Sequence, residues 1–303
     1  MLDLSIILVN TNNGTVIRPC LDSIFRFTEG IEYEVIVVDN GSTDGSLEML
    51  KRDYGSRIRL VENGANLGFC KANNRGMTQA EGRAVILLNS DTELRDNALK
   101  TLYDYLFADE KMGACGGVLI YPGGAPQFSY GFYPSFPRML WITLSGLLGI
   151  KAGRKEQAVV PGNEKNPFRV EYICGADLMM KKTVLDEVGL LDERFFIYFE
   201  ETDLCRRITQ AGYGIWLRPD VKIVHHIEGS FRERKRMREI IFYTSMFKYF
   251  EKHYGYYRFI KWYMIAKFTM RRWLSPKGSE SYEDAAFRIK VIGESGLSYP
   301  FSF

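Results

Sequence analysis

Short continuous apolar runs alternate with amphipathic stretches through the first part of the chain. Leu4 to Val9, Glu34 to Val38, Ile58 to Glu62 and Ala84 to Leu88 predict strands of a sheet covered on both faces. Between them, Thr15 to Phe27, Gly45 to Tyr54 and Gly68 to Ala80 read as amphipathic helices. This βαβα spacing predicts a parallel sheet with right-handed crossovers. Gly113 to Ile120 reads as a further strand, followed by an irregular loop rich in Gly, Pro and aromatics at Tyr121 to Pro137. The polar Gly149 to Asn166 reads as a mobile loop. Regular structure then resumes with a strand at Val170 to Met180, a helix at Thr202 to Ala211 closed by Gly212, and strands at Tyr213 to Leu217 and Val221 to His225. From Phe231 the pattern turns to basic, aromatic helices, so the expected organisation is a domain over 1–230 and a helical region over 231–303.

A chain of 303 residues can bury one large core, or a large domain with a smaller appendage. A net charge of +3 is too small to argue for nucleic acid as a partner. Five scattered cysteines without a C-x-x-C pair argue against a disulfide framework or a zinc site, and for a reducing compartment. Met1 to Val9 lacks the basic start and cleavage site of a signal peptide. Met139 to Ile150, the longest apolar stretch, is about half a membrane span, and predicts a core or interfacial helix.

Candidate chemistry sits where the predicted strands end. The second strand runs into Asp39-Asn40-Gly41-Ser42-Thr43-Asp44-Gly45-Ser46. Ligands of open α/β sheets bind at such carboxyl ends. An acid there accepts hydrogen bonds from a base or ribose and repels phosphate. The fourth strand ends in Asn89-Ser90-Asp91, where the carboxylate could ligate a hard cation or serve simply as a turn acid. An aromatic run, Phe195 to Phe199, delivers Glu200 and Glu201 to a helix start. Acids there suit the helix dipole, and apolar surroundings would also raise a carboxyl pKa toward general-base use. His225-His226 ends a strand and reads either as surface residues or, with Asp91, as an imidazole ligand. Asn66-Leu67-Gly68-Phe69, with Asn73-Asn74 beyond, opens a helix and is compatible with a plain turn or an anion-facing one. Neither G-x-G-x-x-G after the first strand nor G-x-x-x-x-G-K-[ST] occurs, which disfavours NAD-type and P-loop readings.

Taken in order, Ser5-Ile6-Ile7-Leu8-Val9-Asn10, Val37 to Ser46, Asn66 to Phe69, Leu87 to Asp91, Cys174-Gly175-Ala176, Phe199 to Leu204 and His225-His226 resemble the family 2 inverting glycosyltransferases. The likeness is strongest to the bacterial rhamnosyltransferase-like branch and covers residues 3 to 250. The resemblance implies an α/β fold of the GT-A type, a Rossmann-like, mostly parallel sheet flanked by helices. It implies a nucleoside-diphosphate-sugar donor, with Asn10, Asp39, Asn66, Gly68, Asn73 and Asn89 at its site. It implies a divalent cation, Mg2+ or Mn2+, held by Asp91 and His225. Glu201 would be the catalytic base and Glu200 its assistant. Three positions depart from the pattern: Asn89-Ser90-Asp91 replaces Asp-x-Asp or Asn-Pro-Asp, Glu201 stands where Asp is more frequent, and Thr11 where an aromatic is common. By resemblance alone the favoured donor is dTDP-rhamnose, and the acceptor a lipid-linked or growing surface polysaccharide at the cytoplasmic face of a bacterial membrane. The rivals are a nucleotidyltransferase and an inert sugar-nucleotide-binding scaffold, which pyrophosphate release and donor hydrolysis tell apart.

The C-terminal region carries Arg232-Glu233-Arg234-Lys235-Arg236-Met237-Arg238 ahead of a helix with Phe242, Met246, Tyr249, Phe250 and His253 on one side. Further on, Phe259, Trp262, Tyr263, Ala266, Met270 and Trp273 share a face at helical spacing, flanked by Arg258, Lys261, Lys267, Arg271 and Arg272. Such a face suits an anionic membrane surface, or packing on the catalytic domain or on a second copy of the chain.

Overall fold

A computed structural model describes residues 2–148, 164, 166–227 and 235–299. The N-terminal part alternates β1 (Leu4–Asn10), α1 (Gly14–Phe27), β2 (Tyr33–Asp39), α2 (Ser46–Tyr54), β3 (Arg59–Glu62), α3 (Phe69–Met77), β4 (Ala84–Leu88), a short β5 (Thr92–Glu93) and α4 (Ala98–Phe107). Then come β6 (Met112–Ile120), β7 (Tyr130–Gly131), α5 (Phe136–Leu147), β8 (Phe168–Arg169), β9 (Tyr172–Ile173), β10 (Asp177–Lys181), α6 (Lys182–Val188), α7 (Glu200–Gln210) and β11 (Gly214–His225). Helices α8 (Lys235–Tyr254), α9 (Tyr257–Leu274) and α10 (Glu280–Glu294) follow.

The strands form one sheet in the order β3-β2-β1-β4-β10-β6-β11-β5, with β8 beside β11. Each apolar run lands where its composition demands. The strands β4 and β6 are buried throughout, whereas β3, with no fully buried residue, takes the edge. Strand β1 lies between β2 and β4, parallel to both, so the direction of winding reverses beside it. The carboxyl ends of β1 and β4 therefore flank a topological switch point, the usual ligand crevice.

Strand β10 runs antiparallel to both of its neighbours, β4 and β6. The expected single strand over Val170 to Met180 is a break instead. Ile173 pairs with Tyr130 in a separate two-stranded ribbon, and the chain changes sheets through Cys174-Gly175-Ala176. Conversely, the two strands expected at 213–217 and 221–225 are one, β11, with a register shift at Leu217 to Lys222. Pro219 lies within the shift and has no N–H to give the ladder. The expected loop at 121–137 contains β7 and the first turn of α5, and α7 starts at Glu200, so both acids lie in its first turn. Of the loop expected over 149–166, only 164 and 166 are described; Arg232, Glu233 and Arg234 also lie outside the described residues.

Two compact units divide the chain. One holds the described residues of 1–133, 155–193 and 200–230, which include the sheet. The other draws on 134–154, 194–199 and 231–303. Its core is α8, where Tyr243, Phe247, Tyr249 and Phe250 are fully buried. No helix among the described residues is long and apolar enough to cross a membrane.

Asp177, the first residue of β10, is wholly buried. Its Oδ2 accepts from the Gly117 N–H at 2.8 Å, while Oδ1 has no partner. Burial pushes its carboxyl up from 3.8 to about 8. Between those values the folded state holds a proton that the unfolded state has released, so stability falls as pH rises across that window. Asp177→Asn should remove this slope: its melting temperature relative to the parent should rise between pH 5 and pH 8. Parallel melting-temperature profiles for the two proteins would show that Asp177 is charged in the fold.

Candidate functional site

The end of β1 meets the end of β2 through side chains. Asn10 and Asp39 are partners in register, and Asn10 Nδ2 lies 2.8 Å from Asp39 Oδ1, 2.8 Å from Ser46 Oγ and 3.0 Å from Ser42 Oγ. The other Asp39 oxygen accepts from the Ser42 N–H at 3.1 Å. Asp39 is thus braced and buried, with lone pairs to spare, and Asn10 Oδ1 is buried without a partner. Asn40 ties this turn to the next. Its Oδ1 accepts from the Leu67 N–H and its Nδ2 donates to Asn66 Oδ1, which also accepts from the Gly68 N–H. The two loops touch so closely that a Cβ on Gly41 would lie 2.8 Å from Ala65 backbone atoms. Asn73 is different: it is buried and its amide donates to the Phe69 carbonyl within α3. Asn66 and Gly68 therefore shape the loop, and Asn73 stiffens the helix behind it.

The turn after β4 is stitched to the end of β11. Thr92 pairs with His225 and Glu93 with Val224, and the His226 N–H donates to the Asp91 carbonyl at 2.9 Å. This brings Asp91 Oδ1 to 3.3 Å from His225 Nε2. Gln127 decides what that nitrogen presents. Its Nε2 donates to the His225 carbonyl at 2.6 Å, which turns its Oε1 toward His225 Nδ1 at 3.0 Å. An acceptor there fixes the proton on Nδ1, so Nε2 faces Asp91 with a lone pair. Two electron-pair donors facing one another fit a cation between them, and Asn89 Nδ2, 3.3 Å away, can also donate to that nitrogen. One carboxylate and one imidazole make an open donor set; among the described residues no cluster of three His, Cys, Asp or Glu side chains completes it. Further positions would fall to water or phosphate oxygens. The sequence patterns single out Asp91 and His225 but not Gln127, which lies in a Gly/Pro/aromatic loop without periodicity.

Glu200 and Glu201 open α7. Glu200 is buried and Glu201 partly so, and one Oε2 of each is buried with no hydrogen-bond partner. Burial holds the Glu200 carboxyl well above its ordinary range, and the neighbouring Glu201 charge adds to this. Burial pushes Glu201 up to about 7, against the opposing pull of backbone N–H groups. The Cys174–Ala176 crossing connects this pair to the turn after β4. A Cβ on Gly175 would lie 3.7 Å from Glu201 Cβ, and the Asn89 N–H donates to the Ala176 carbonyl at 3.0 Å. The acids, the Asp91 turn and the open flank of Gly175 thus belong to one neighbourhood. It sets a carboxyl that titrates near neutrality close to a carboxylate–imidazole pair.

The family model described as "Glycosyl transferase family 2" matches residues 5–154. The N-acetylglucosaminyl-diphospho-decaprenol L-rhamnosyltransferase of Mycobacterium tuberculosis is 26% identical over 302 residues, covering 91% of this chain and 94% of its own length. The dTDP-rhamnosyl transferase RfbF of Shigella flexneri is 26% identical, covering 64% of this chain and 60% of its own. Among solved structures, GalNAc-T7 with UDP, GalNAc and Mn2+ aligns with a TM-score of 0.62 at 17% identity, over 99% of this chain and 58% of that one. The mannosyltransferase PcManGT of Pyrobaculum calidifontis with GDP-Man and Mn2+ aligns with a TM-score of 0.57 at 17% identity, over 98% and 78%. The chain is a glycosyltransferase with the GT-A fold, similar to family 2 over residues 5–154 and to rhamnosyltransferases over most of its length.

Proposed function

We propose that this glycosyltransferase passes one sugar, with inversion, from a nucleoside diphosphate to an acceptor hydroxyl, using Glu201 as the base. The observation that carries this reading is the acid pair at the start of α7: two adjacent carboxyls, each with a buried, unpartnered oxygen, of which one titrates near neutrality. Burial and the neighbouring Glu201 charge both hold Glu200 toward its neutral form, so the two acids divide the work. Glu201 takes the proton from the acceptor oxygen as that oxygen attacks the anomeric carbon from the face opposite the diphosphate. Glu200 positions the acceptor. Asn10 and Asp39 hold the nucleoside at the ends of β1 and β2, and Asn66, Gly68 and Asn89 frame its path. Bound between Asp91 and His225, a divalent cation such as Mg2+ or Mn2+ supplies the positive charge that the departing diphosphate requires. No covalent nucleophile is needed.

The donor is dTDP-rhamnose on this reading, supported by the two rhamnosyltransferases among the relatives. The acceptor is a lipid-linked or growing surface glycan, and the protein works as a peripheral enzyme at the cytoplasmic face of the membrane. Its similarity to a transferase whose name specifies a diphospho-decaprenol substrate supports this placement.

Three outcomes test the site. Glu201→Gln should lower kcat by about 10²- to 10⁴-fold while the donor's Kd is unchanged; near-parental turnover would remove Glu201 as the base. Because the base acts deprotonated, kcat/KM of the parent should rise with pH through an ionisation near 7 and then level, and a flat profile from pH 5.5 to 8.5 would contradict the assignment. Gln127→Leu should weaken Mn2+ binding by about 10-fold or more, measured by calorimetry on the protein alone, whereas an unchanged affinity would show that the imidazole needs no such brace.

A further inference from the structure

We infer that the second unit holds a pocket for the phosphate of one anionic phospholipid, formed by α5, α9 and α10. It is a cavity of about 410 Å³, lined by the cations Lys267, Arg271 and Arg288 and by apolar side chains that include Ile142, Phe268 and Leu274. The inference extends the peripheral-membrane placement and is independent of the transfer chemistry.

The charges in the pocket are unevenly matched. Arg288 is engaged by Glu239 at 3.0 Å, by Asp284 at 3.2 Å and by the Tyr243 hydroxyl. Arg271 shares Asp284 at 3.3 Å and donates to Ser281. Two guanidiniums thus answer two carboxylates. Lys267 is left over: half-buried, it has the Phe268 ring 5.9 Å away but no carboxylate or hydrogen-bond acceptor among the described residues. Burial and the two arginines nearby all disfavour its charge and lower its pKa. A cation held beside two others in a partly dry pocket is relieved by an anion, and one excess positive charge matches the single negative charge of a phosphodiester.

The rim of the pocket indicates that the anion carries a hydrocarbon tail. Helix α9 lies along α5: Tyr263 bridges the Met139 carbonyl at 3.0 Å and Thr143 Oγ1 at 2.6 Å, and Phe136 packs edge-on to Phe259 and Tyr263. On the same helices, Trp262 and Trp273 of α9 are 64% and 84% exposed, and Trp141 of α5 is 53% exposed. Met270 lines both the cationic cavity and an apolar groove that runs between those two α9 tryptophans, so the two features are continuous. Exposed tryptophans along an apolar groove that opens onto a cationic pocket suit the headgroup level of a bilayer, where the rings meet acyl chains and the cations meet phosphate. A free phosphate would find no use for the groove.

The test uses the full chain. Dihexanoylphosphatidylglycerol, added as a water-soluble probe and followed by calorimetry, should bind at one saturable site per chain. Lys267→Gln should weaken it about five-fold or more, the worth of one lysine at an anionic surface. Lys267→Arg should restore binding, and Arg272→Gln, an exposed cation outside the pocket, should leave it intact. Inorganic phosphate at equal concentration should not compete; equal competition would make this a free-anion site and overturn the lipid assignment. Equal losses in Lys267→Gln and Arg272→Gln would mean diffuse surface charge, and would overturn the pocket. In flotation with phosphatidylglycerol vesicles, a parent protein that stays in solution would overturn both the pocket and the membrane placement. Flotation without saturable probe binding would overturn the pocket alone. If the groove instead joins two copies, sedimentation would show a dimer that Trp273→Ser disperses, and that too would overturn the proposal.

Discussion

One antiparallel strand in the middle of the sheet, between two that run the other way, governs the site. Strands β1, β2, β4, β6 and β11 share a direction and end at one edge of the sheet, and β10 runs the other way between β4 and β6. Asp177, its first residue, therefore lies opposite Leu88, the last residue of β4. Whatever precedes β10 is delivered to the edge where ligands of such sheets bind. What precedes it is Cys174-Gly175-Ala176, whose last carbonyl holds the Asn89 turn and whose glycine leaves the flank of Glu201 open. Reversing β10 would carry that crossing to the far edge and separate the acids from the Asp91 turn.

The electrostatics of the site follow from how each charge is housed. Asp39 is buried but rests on Asn10 and a backbone N–H, which makes it a fixed acceptor. Glu200 and Glu201 each keep a buried oxygen without a donor, and burial disfavours their charge. Asp91 faces an imidazole whose proton is held on the opposite side by Gln127. Three acidic environments thus differ in kind: a braced acceptor, a titrating pair and a carboxylate set against an imidazole nitrogen. None of these distinctions depends on the residue type alone.

Much of this was legible in the order of residues. Continuous aliphatic runs gave the strands of the first half to within a residue or two, because a strand buried on both faces admits little else. The acids and histidines at strand ends stood out because polar residues directly after such runs mark the sheet's edge. The break at Gly175 was hidden by apolar residues on both sides, since an apolar pattern does not say which sheet a strand joins. Gln127 was hidden for the opposite reason: its role is a pair of hydrogen bonds to a residue 98 positions away, and no local pattern encodes them. On α9, periodicity defined an aromatic face but not its exposure. The face that is buried carries Ile260, Met264 and Phe268, and Trp262 and Trp273 remain outside.

The aromatic run before α7 acts through geometry as much as through polarity. Tyr198 and Phe199 both adopt left-handed backbone conformations, with φ of 72° and 69°. For non-glycine residues each costs about 1–3 kcal/mol, and two in succession persist only if something holds them. The rings do so within their own unit. Phe199 packs on Phe242 at 5.3 Å and Tyr249 at 5.7 Å, Tyr198 meets Phe242 at 5.8 Å, and the Ile197 carbonyl accepts from Ser245 Oγ at 2.8 Å. The residue after this reversal is Glu200. The ring contacts thus offset the strain of the reversal inside the unit that contains it.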